Sequence, residues 1–263
     1  MPEANSRTTS AFSVAGVTVN IRSMRQALET VVEDAKRGRG FCFFTLNLDH
    51  CAKLRTDLQF QGAYRCARYV TADGFPIVLL GKLNGVALRR TAGSDLMGPM
   101  CAEAAHHGLP VFIIGPSSEV LQRAGTRLVG NLPRLRIVGS YAPGRNFDAN
   151  SIDADVAIER IRQSQAQLCF IALGAPRQEI FAARCLAQIP DRGFICVGAA
   201  LDFIAGTGTR APRLLREYGL EWLWRLLSDP RRLATRYLRC AAVLPVLAAE
   251  AIPKAIFARL GRT

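Results

Sequence analysis

The sequence predicts an α/β fold: a Rossmann-like, mainly parallel sheet with helices on both faces, followed by a basic helical appendage. Three observations predict it. Short apolar runs alternate with helical patterns from Ser23 to Val197, the mark of parallel strands joined by crossover helices of about ten to fifteen residues. Hydrophobic residues make up 49% of the 263, ample for a packed core and too many for a disordered chain. Beyond Arg210 no strand pattern remains, and the chain reads as helical, Arg-rich and interrupted by prolines.

In chain order, helix Ser23–Lys36 precedes strand Phe41–Leu46, and helix Leu54–Arg65 precedes strand Tyr69–Thr71. Helix Ser94–His107 leads to strand Val111–Ile114, and helix Ser118–Val129 to strand Leu135–Val138. Helix Ile152–Ser164 then leads to strand Leu168–Leu173, and helix Gln178–Gln188 to strand Phe194–Val197. About six strands are a common size for such a sheet. Residues 1–209 read as the α/β domain and residues 210–263 as the appendage. Ligands of such sheets bind beyond the carboxyl ends of the strands.

The 34 Lys and Arg against 21 Asp and Glu give a net charge of +13, which favours an anionic partner: nucleic acid, an acidic membrane surface or a phosphate-bearing ligand. The segment from Arg210 carries eleven basic and four acidic residues. The eight cysteines form no C-x-x-C pair and most sit in apolar runs, so they read as reduced, buried thiols of a reducing compartment. Residues Met1 to Ser10 are polar and lack the apolar core of a signal peptide. The stretch Cys240 to Ala258 is broken by Pro245, Glu250, Pro253 and Lys254, so no spanning helix is expected, while a segment lying on a membrane is allowed.

Three constellations could carry chemistry. Phe43-Phe44-Thr45-Leu46-Asn47 and Tyr69-Val70-Thr71-Ala72-Asp73-Gly74 each read as an apolar strand ending in polar groups. Asp73-Gly74 is by default a turn; the alternative is a carboxylate placed to take a proton from an attacking hydroxyl. Second, strand Leu168–Leu173 runs into Gly174-Ala175-Pro176-Arg177-Gln178-Glu179, with Pro176 read as the first helical residue, and Ile113-Ile114-Gly115-Pro116 repeats the design. Each is either an ordinary capped connection or a helix N-terminus suited to a diphosphate. Third, both tryptophans, Trp222 and Trp224, precede a helix on which Arg232, Arg236 and Arg239 share one face, beside an apolar stripe of Leu233, Tyr237, Ala241 and Leu244. It reads either as a solvated basic face or as a segment suited to a membrane interface. The chain has no G-x-G-x-x-G after a first strand and no P-loop. His50, His106 and His107 lack metal-ligand spacing, and surface or capping roles are expected for them.

Taken in order, these motifs resemble those of the WecG/TagA/CpsF glycosyltransferases. The matching stretches are TLN at Thr45–Asn47, ADG at Ala72–Gly74, RRTAGSDL at Arg89–Leu96, the IIGP turn and GAPRQE at Gly174–Glu179. VGAALDFIAGTGTRAP at Val197–Pro212 and GLEWLWRLLSDPRRL at Gly219–Leu233 complete the set. The resemblance implies an inverting, metal-independent transfer of a hexose-type sugar from a UDP-sugar to a polyprenyl-diphosphate-linked saccharide, with no cofactor. The donor class it implies is N-acetylmannosaminyl, N-acetylmannosaminuronyl or glucosyl. By residue match, Asp73 is implied as general base, and Thr45, Asn47, Arg90 and Gln178 as donor or active-site positions, with Gly115 and Gly174 in the substrate turns. Arg90 is the first candidate to meet the charge of the leaving diphosphate, and an appendage arginine the second. Arg225, Arg232 and Arg236 fall in a membrane-docking appendage, which implies a peripheral enzyme on the inner face of the cytoplasmic membrane. Two departures stand out: Leu201 where an aromatic is expected before Asp202-Phe203, and Thr235 where a basic residue is expected. Asp153-Ala154-Asp155 has the D-x-D form that holds a metal in many glycosyltransferases, but it opens a helix, where acidic residues complement the dipole.

The rival from another class is a basic nucleic-acid-binding protein, which explains +13 but not the strand-end Thr, Asn and Asp groups. The resemblance implies no nucleic-acid partner. A docking protein without catalysis and a sugar-nucleotide epimerase are weaker rivals, the latter for want of a dinucleotide-binding Gly motif. The sequence leaves room for a homo-oligomer.

Overall fold

The structure, a computed structural model, describes residues 12–144, 146–212, 214–215 and 221–260. The polar stretch at Met1 to Ser10 lies outside them. The chain opens with a hairpin of β1 (Phe12–Val14) and β2 (Val17–Val19), whose turn residues Ala15 and Gly16 both have positive φ. Then follow α1 (Met24–Lys36), β3 (Phe41–Leu46), α2 (Leu48–Leu54), α3 (Leu58–Arg65), β4 (Ala67–Ala72) and α4 (Phe75–Leu83). α5 (Gly93–His107), β5 (Val111–Ile114), α6 (Ser118–Asn131), β6 (Ile137–Tyr141) and α7 (Ile152–Ser164) continue it. β7 (Leu168–Ile171), α8 (Arg177–Gln188), β8 (Gly193–Cys196) and α9 (Ala200–Ala205) finish the sheet domain. α10 (Glu221–Ser228) and α11 (Pro230–Leu260) come last.

β3 to β8 form one six-stranded sheet in the order β4-β3-β8-β7-β5-β6, with every pairing parallel. The fold is the Rossmann-like α/β arrangement predicted from sequence. β3 shows why a continuous apolar run becomes a central strand. All six of its residues are buried. Its side chains alternate between the faces, Cys42, Phe44 and Leu46 to one and Phe41 and Phe43 to the other, the period-2 pattern of a strand covered on both sides. Each fully buried Phe contributes about 1.5–3 kcal/mol. The first face is covered by α2, α3, α4, α7, α8 and Leu247 of α11; the second by α1, α5, α6 and α9.

Several expected boundaries move for local reasons. The helix read as Leu54–Arg65 starts at Leu58, where the Asp57 side chain caps α3, and a separate short helix, α2, capped by Asn47, precedes it. β6 begins at Ile137 instead of Leu135, since it pairs with β5 from Val111↔Ile137 to Ile114↔Tyr141. α8 begins at Arg177, with Pro176 just before it. α11 runs on through Pro245 and Pro253; each proline removes one hydrogen bond without ending the helix. α11 packs on α2 and α4.

Candidate active site

β3 and β4 are neighbours, with Leu46 opposite Ala72, so Asn47 and Asp73 leave the sheet side by side. The Asp73 N–H donates to the Leu46 carbonyl (2.8 Å), extending the ladder one residue beyond the strands. Asn47 does two things. Its side-chain oxygen accepts the His50 N–H at the start of α2 (3.0 Å), and its amide donates to the Asp73 carboxylate (3.4 Å). Gly74, at φ 95°, then turns the chain into α4, a backbone angle that favours glycine.

The segment before α5 is tied to β4 by two bonds: Thr91 N–H to the Ala72 carbonyl (2.8 Å) and the Thr71 hydroxyl to the Thr91 carbonyl (2.9 Å). This sets Arg90 beside Asp73. The guanidinium faces three carboxylates: Asp95 at 2.6 Å, Glu221 at 3.7 Å and Asp73 at 3.9 Å. Asp95 also pairs with Arg210.

These groups form part of the wall of a cavity of about 440 Å³ whose other side comes from α10 and α11. Trp222, Arg236, Tyr237, Ala241 and Leu244 line that side, opposite Asn47, Asp49, Asp73, Phe75 and Arg90. The stripe Tyr237, Ala241 and Leu244 thus faces the cavity, while Leu233 of the same stripe is buried. The cavity is electrically lopsided. Around Asp73, among the described residues, the carboxylates of Asp73, Asp95 and Glu221 meet the guanidinium groups of Arg90 and Arg210. Around Asp49, two cations, Lys53 and Arg236 (3.3 Å), share one carboxylate. One side is suited to accept a proton and the other to hold an anion.

Comparison with protein-family models matches residues 12–256 to the Glycosyl transferase WecG/TagA/CpsF family. The chain belongs to this family. As a WecG/TagA/CpsF member it is a glycosyltransferase of cell-surface polysaccharide synthesis, working with a sugar donor and a lipid-linked acceptor. Among the described residues, no helix is long and apolar enough to cross a membrane.

The remaining residues singled out from the family motifs are spread along the strand ends. Thr45 is buried two residues before the cavity-lining Asn47, its carbonyl accepting the Tyr64 hydroxyl (3.5 Å). Gln178 lies off the cavity wall. Its amide donates to Glu179 (2.7 Å) and its oxygen accepts the Gly198 N–H (3.2 Å), clamping α8 to the turn after β8. Gly174, at φ +75°, forms an exposed turn after β7, and its carbonyl accepts the Gln178 N–H. Gly115, after β5, donates its N–H to the Tyr141 carbonyl, and a Cβ there would meet Leu121 at 2.7 Å. Its job is close packing, and four strand spacings, about 19 Å, separate β5 from β4. The side chains of Arg225 and Arg232 lie outside the described residues.

Asp153 and Asp155 stand in the first turn of α7, where Asp153 accepts from Tyr141 and Gly144 and Asp155 pairs with Arg184. Seven of the eight cysteines are buried, Cys66 is exposed, and all eight are free thiols. His50 corrects the expectation of a surface or capping role. It is buried, its Nδ1 lies 2.7 Å from the Tyr64 hydroxyl, and burial pushes its pKa down to about 3, so the ring is neutral. The reason is that α2 packs it against Phe60 and Tyr64 of α3.

Reading the sequence missed Asp95, Glu221 and Glu179, although each lies inside a quoted motif. Glu179 is fully buried, with one oxygen unpartnered among the described residues, and burial pushes its pKa up to about 7. The available signal was an acid beside Gln178 in the first turn of a helix that had to pack on the sheet.

Proposed function

We propose that this chain is an inverting, metal-independent glycosyltransferase that moves a hexose-type sugar from a UDP-sugar to a polyprenyl-diphosphate-linked saccharide. The observation that carries the reading is the position of Asp73, at a strand end on the wall of a cavity shared with α10 and α11, held by Asn47 and facing Arg90. In this scheme the Asp73 carboxylate takes the proton of an acceptor hydroxyl, contributing about 10²–10⁴-fold. The hydroxyl oxygen attacks the anomeric carbon, the bond to the diphosphate oxygen breaks on the opposite face with its electron pair leaving on UDP, and the configuration inverts.

The charge pattern favours a different division of labour from the one expected from sequence. Arg90 already faces three carboxylates, so its part is to orient Asp73. The diphosphate charge falls to Arg236 beside Lys53, which among the described residues share Asp49, and to the N–H groups at the strand ends near Gly174. Residues 210–263 act as the membrane-docking unit, with Arg225 and Arg232 adding basic charge. The protein then works as a peripheral enzyme on the inner face of the cytoplasmic membrane, a placement in line with eight free thiols.

The test is UDP release by the full chain in EDTA, across a panel of UDP-sugars, with and without a polyprenyl-diphosphate-sugar acceptor in liposomes. Acceptor-dependent release from one donor, with an inverted product, is expected. Release that does not depend on the acceptor, or that EDTA abolishes, would overturn the corresponding part of the proposal.

A further inference from the structure

The apolar surface near Asp73 is not confined to the appendage. α4 starts two residues after Asp73 and reads Phe-Pro-Ile-Val-Leu-Leu-Gly-Lys-Leu, with no acidic residue. Ile77, Leu80 and Gly81 are buried toward the core. On the other face Phe75, Leu79 and Leu83, spaced i, i+4 and i+8, are 55%, 41% and 41% exposed, and Lys82 is exposed beside them. Single exposed hydrophobic residues are normal, but a contiguous row marks an interaction surface.

Two observations indicate what covers the row. It is continuous with the cavity rim: Phe75 lines the cavity together with Trp222 and Leu244, which are 46% and 37% exposed. The rim therefore carries an exposed apolar group, Phe75, on the sheet-domain side as well as those on the appendage side. The charge on the row is a lysine, whose stem can lie along apolar surface while its head reaches an anionic headgroup.

We infer that α4 is a membrane-contacting helix whose Phe75–Leu79–Leu83 face enters the headgroup–acyl boundary of an anionic bilayer. The sheet domain then has its own hold on the membrane, beside that of the appendage, and this rests on the reading that the acceptor is membrane-embedded. Because α4 follows Asp73 directly, this hold fixes the carboxylate close to the bilayer surface and favours acceptor sugars attached near the lipid diphosphate.

The full-length wild-type chain, bound to phosphatidylglycerol–phosphatidylcholine vesicles carrying a diazirine-acyl phospholipid, is irradiated and its peptides are mapped. Lipid adducts on the peptide containing Phe75–Leu83, as well as on appendage peptides, are expected. Adducts confined to the appendage overturn the inference, as does protection of α4 by self-association that persists on vesicles. In parallel, L79Q/L83Q, at two positions off the cavity wall, should bind vesicles about tenfold more weakly while using a short-chain, water-soluble acceptor as the wild type does. Unchanged vesicle binding would count against the α4 surface. The cross-linking and vesicle-binding readouts report lipid contact alone, so a chain inactive with every donor would sink the enzymatic proposal while these two still decide this one.

Discussion

Glu221, the first residue of α10, lies 3.7 Å from the Arg90 guanidinium, which in turn faces Asp73 at 3.9 Å. An appendage carboxylate thus belongs to the same charge cluster as the candidate base. Replacing it separates two roles for Arg90. If Arg90 holds Asp73, Glu221→Gln should lower kcat about tenfold and leave the donor KM unchanged, as expected for loss of one charge-assisted contact. A lower donor KM would instead mark Arg90 as a diphosphate anchor released from a competing acid. Steady-state kinetics with one UDP-sugar decide between them.

Asp73→Asn keeps the shape of the side chain and its distance from Asn47 while removing the base. Transfer should fall by about 10²-fold or more, with the melting temperature close to wild type. Near-wild-type UDP release from the variant would exclude Asp73 as the base.

Glu179 links activity-site packing to pH. Its carboxyl is pushed from 4.5 up to about 7 by burial, so between these values the native state holds a proton that the unfolded chain has released. The stability it contributes is present below pH 4.5 and is lost as pH rises through 7. Glu179→Gln lacks this dependence. The stability difference, wild type minus variant, should therefore fall by about 2–3 kcal/mol from pH 5 to pH 8. Urea unfolding of both proteins at the two pH values measures it, and His50, shared by both, drops out of the comparison. An equal difference at both values would mean that Glu179 is ionised throughout.

Gly93 gives a physical reason for the glycine in RRTAGSDL. A Cβ there would lie 3.0 Å from the Val197 Cα and 3.1 Å from the Cys196 carbonyl, backbone atoms that cannot swing aside. Gly93→Ala gains up to about 1 kcal/mol of helix propensity, but overpacking costs about 1–3 kcal/mol. A melting temperature a few degrees lower is expected, with reduced turnover because the first turn of α5 carries Asp95, the 2.6 Å partner of Arg90. A variant at least as stable as wild type would show that β8 and α5 can move apart.

Much of the fold was legible because β3, β5, β7 and β8 are buried on both faces, so Phe41–Leu46 or Val111–Ile114 reads as an apolar run whatever the helices do. What escaped had a weaker local signal. The β1–β2 hairpin has three-residue strands and an Ala15-Gly16 turn in place of Asn-Gly. α4 is apolar nearly all round, so its sequence has no 3.6-residue rhythm to detect. In the site, Asp73, Asn47 and Arg90 come from short motifs and meet as neighbours across β3 and β4. The Asp95–Arg210 and Arg90–Glu221 pairs join residues more than a hundred positions apart, and no local pattern announces such pairs. Gln178 was legible as an important residue but not as a clamp, because its partner Gly198 lies in a different motif.

The strand order also dictates how the protein must be made. β3 occupies the second position of the sheet, but its partner on one side, β8, is the last strand among the described residues to be synthesised, with Cys42 opposite Phe194. At about 5–20 residues per second, on the order of ten seconds separate their emergence from the ribosome. During that interval Phe-Cys-Phe-Phe-Thr-Leu is an apolar strand with one edge unpaired, the kind of segment that recruits other chains. Until β8 arrives to close the gap, that edge of β3 is open to pairing with other chains.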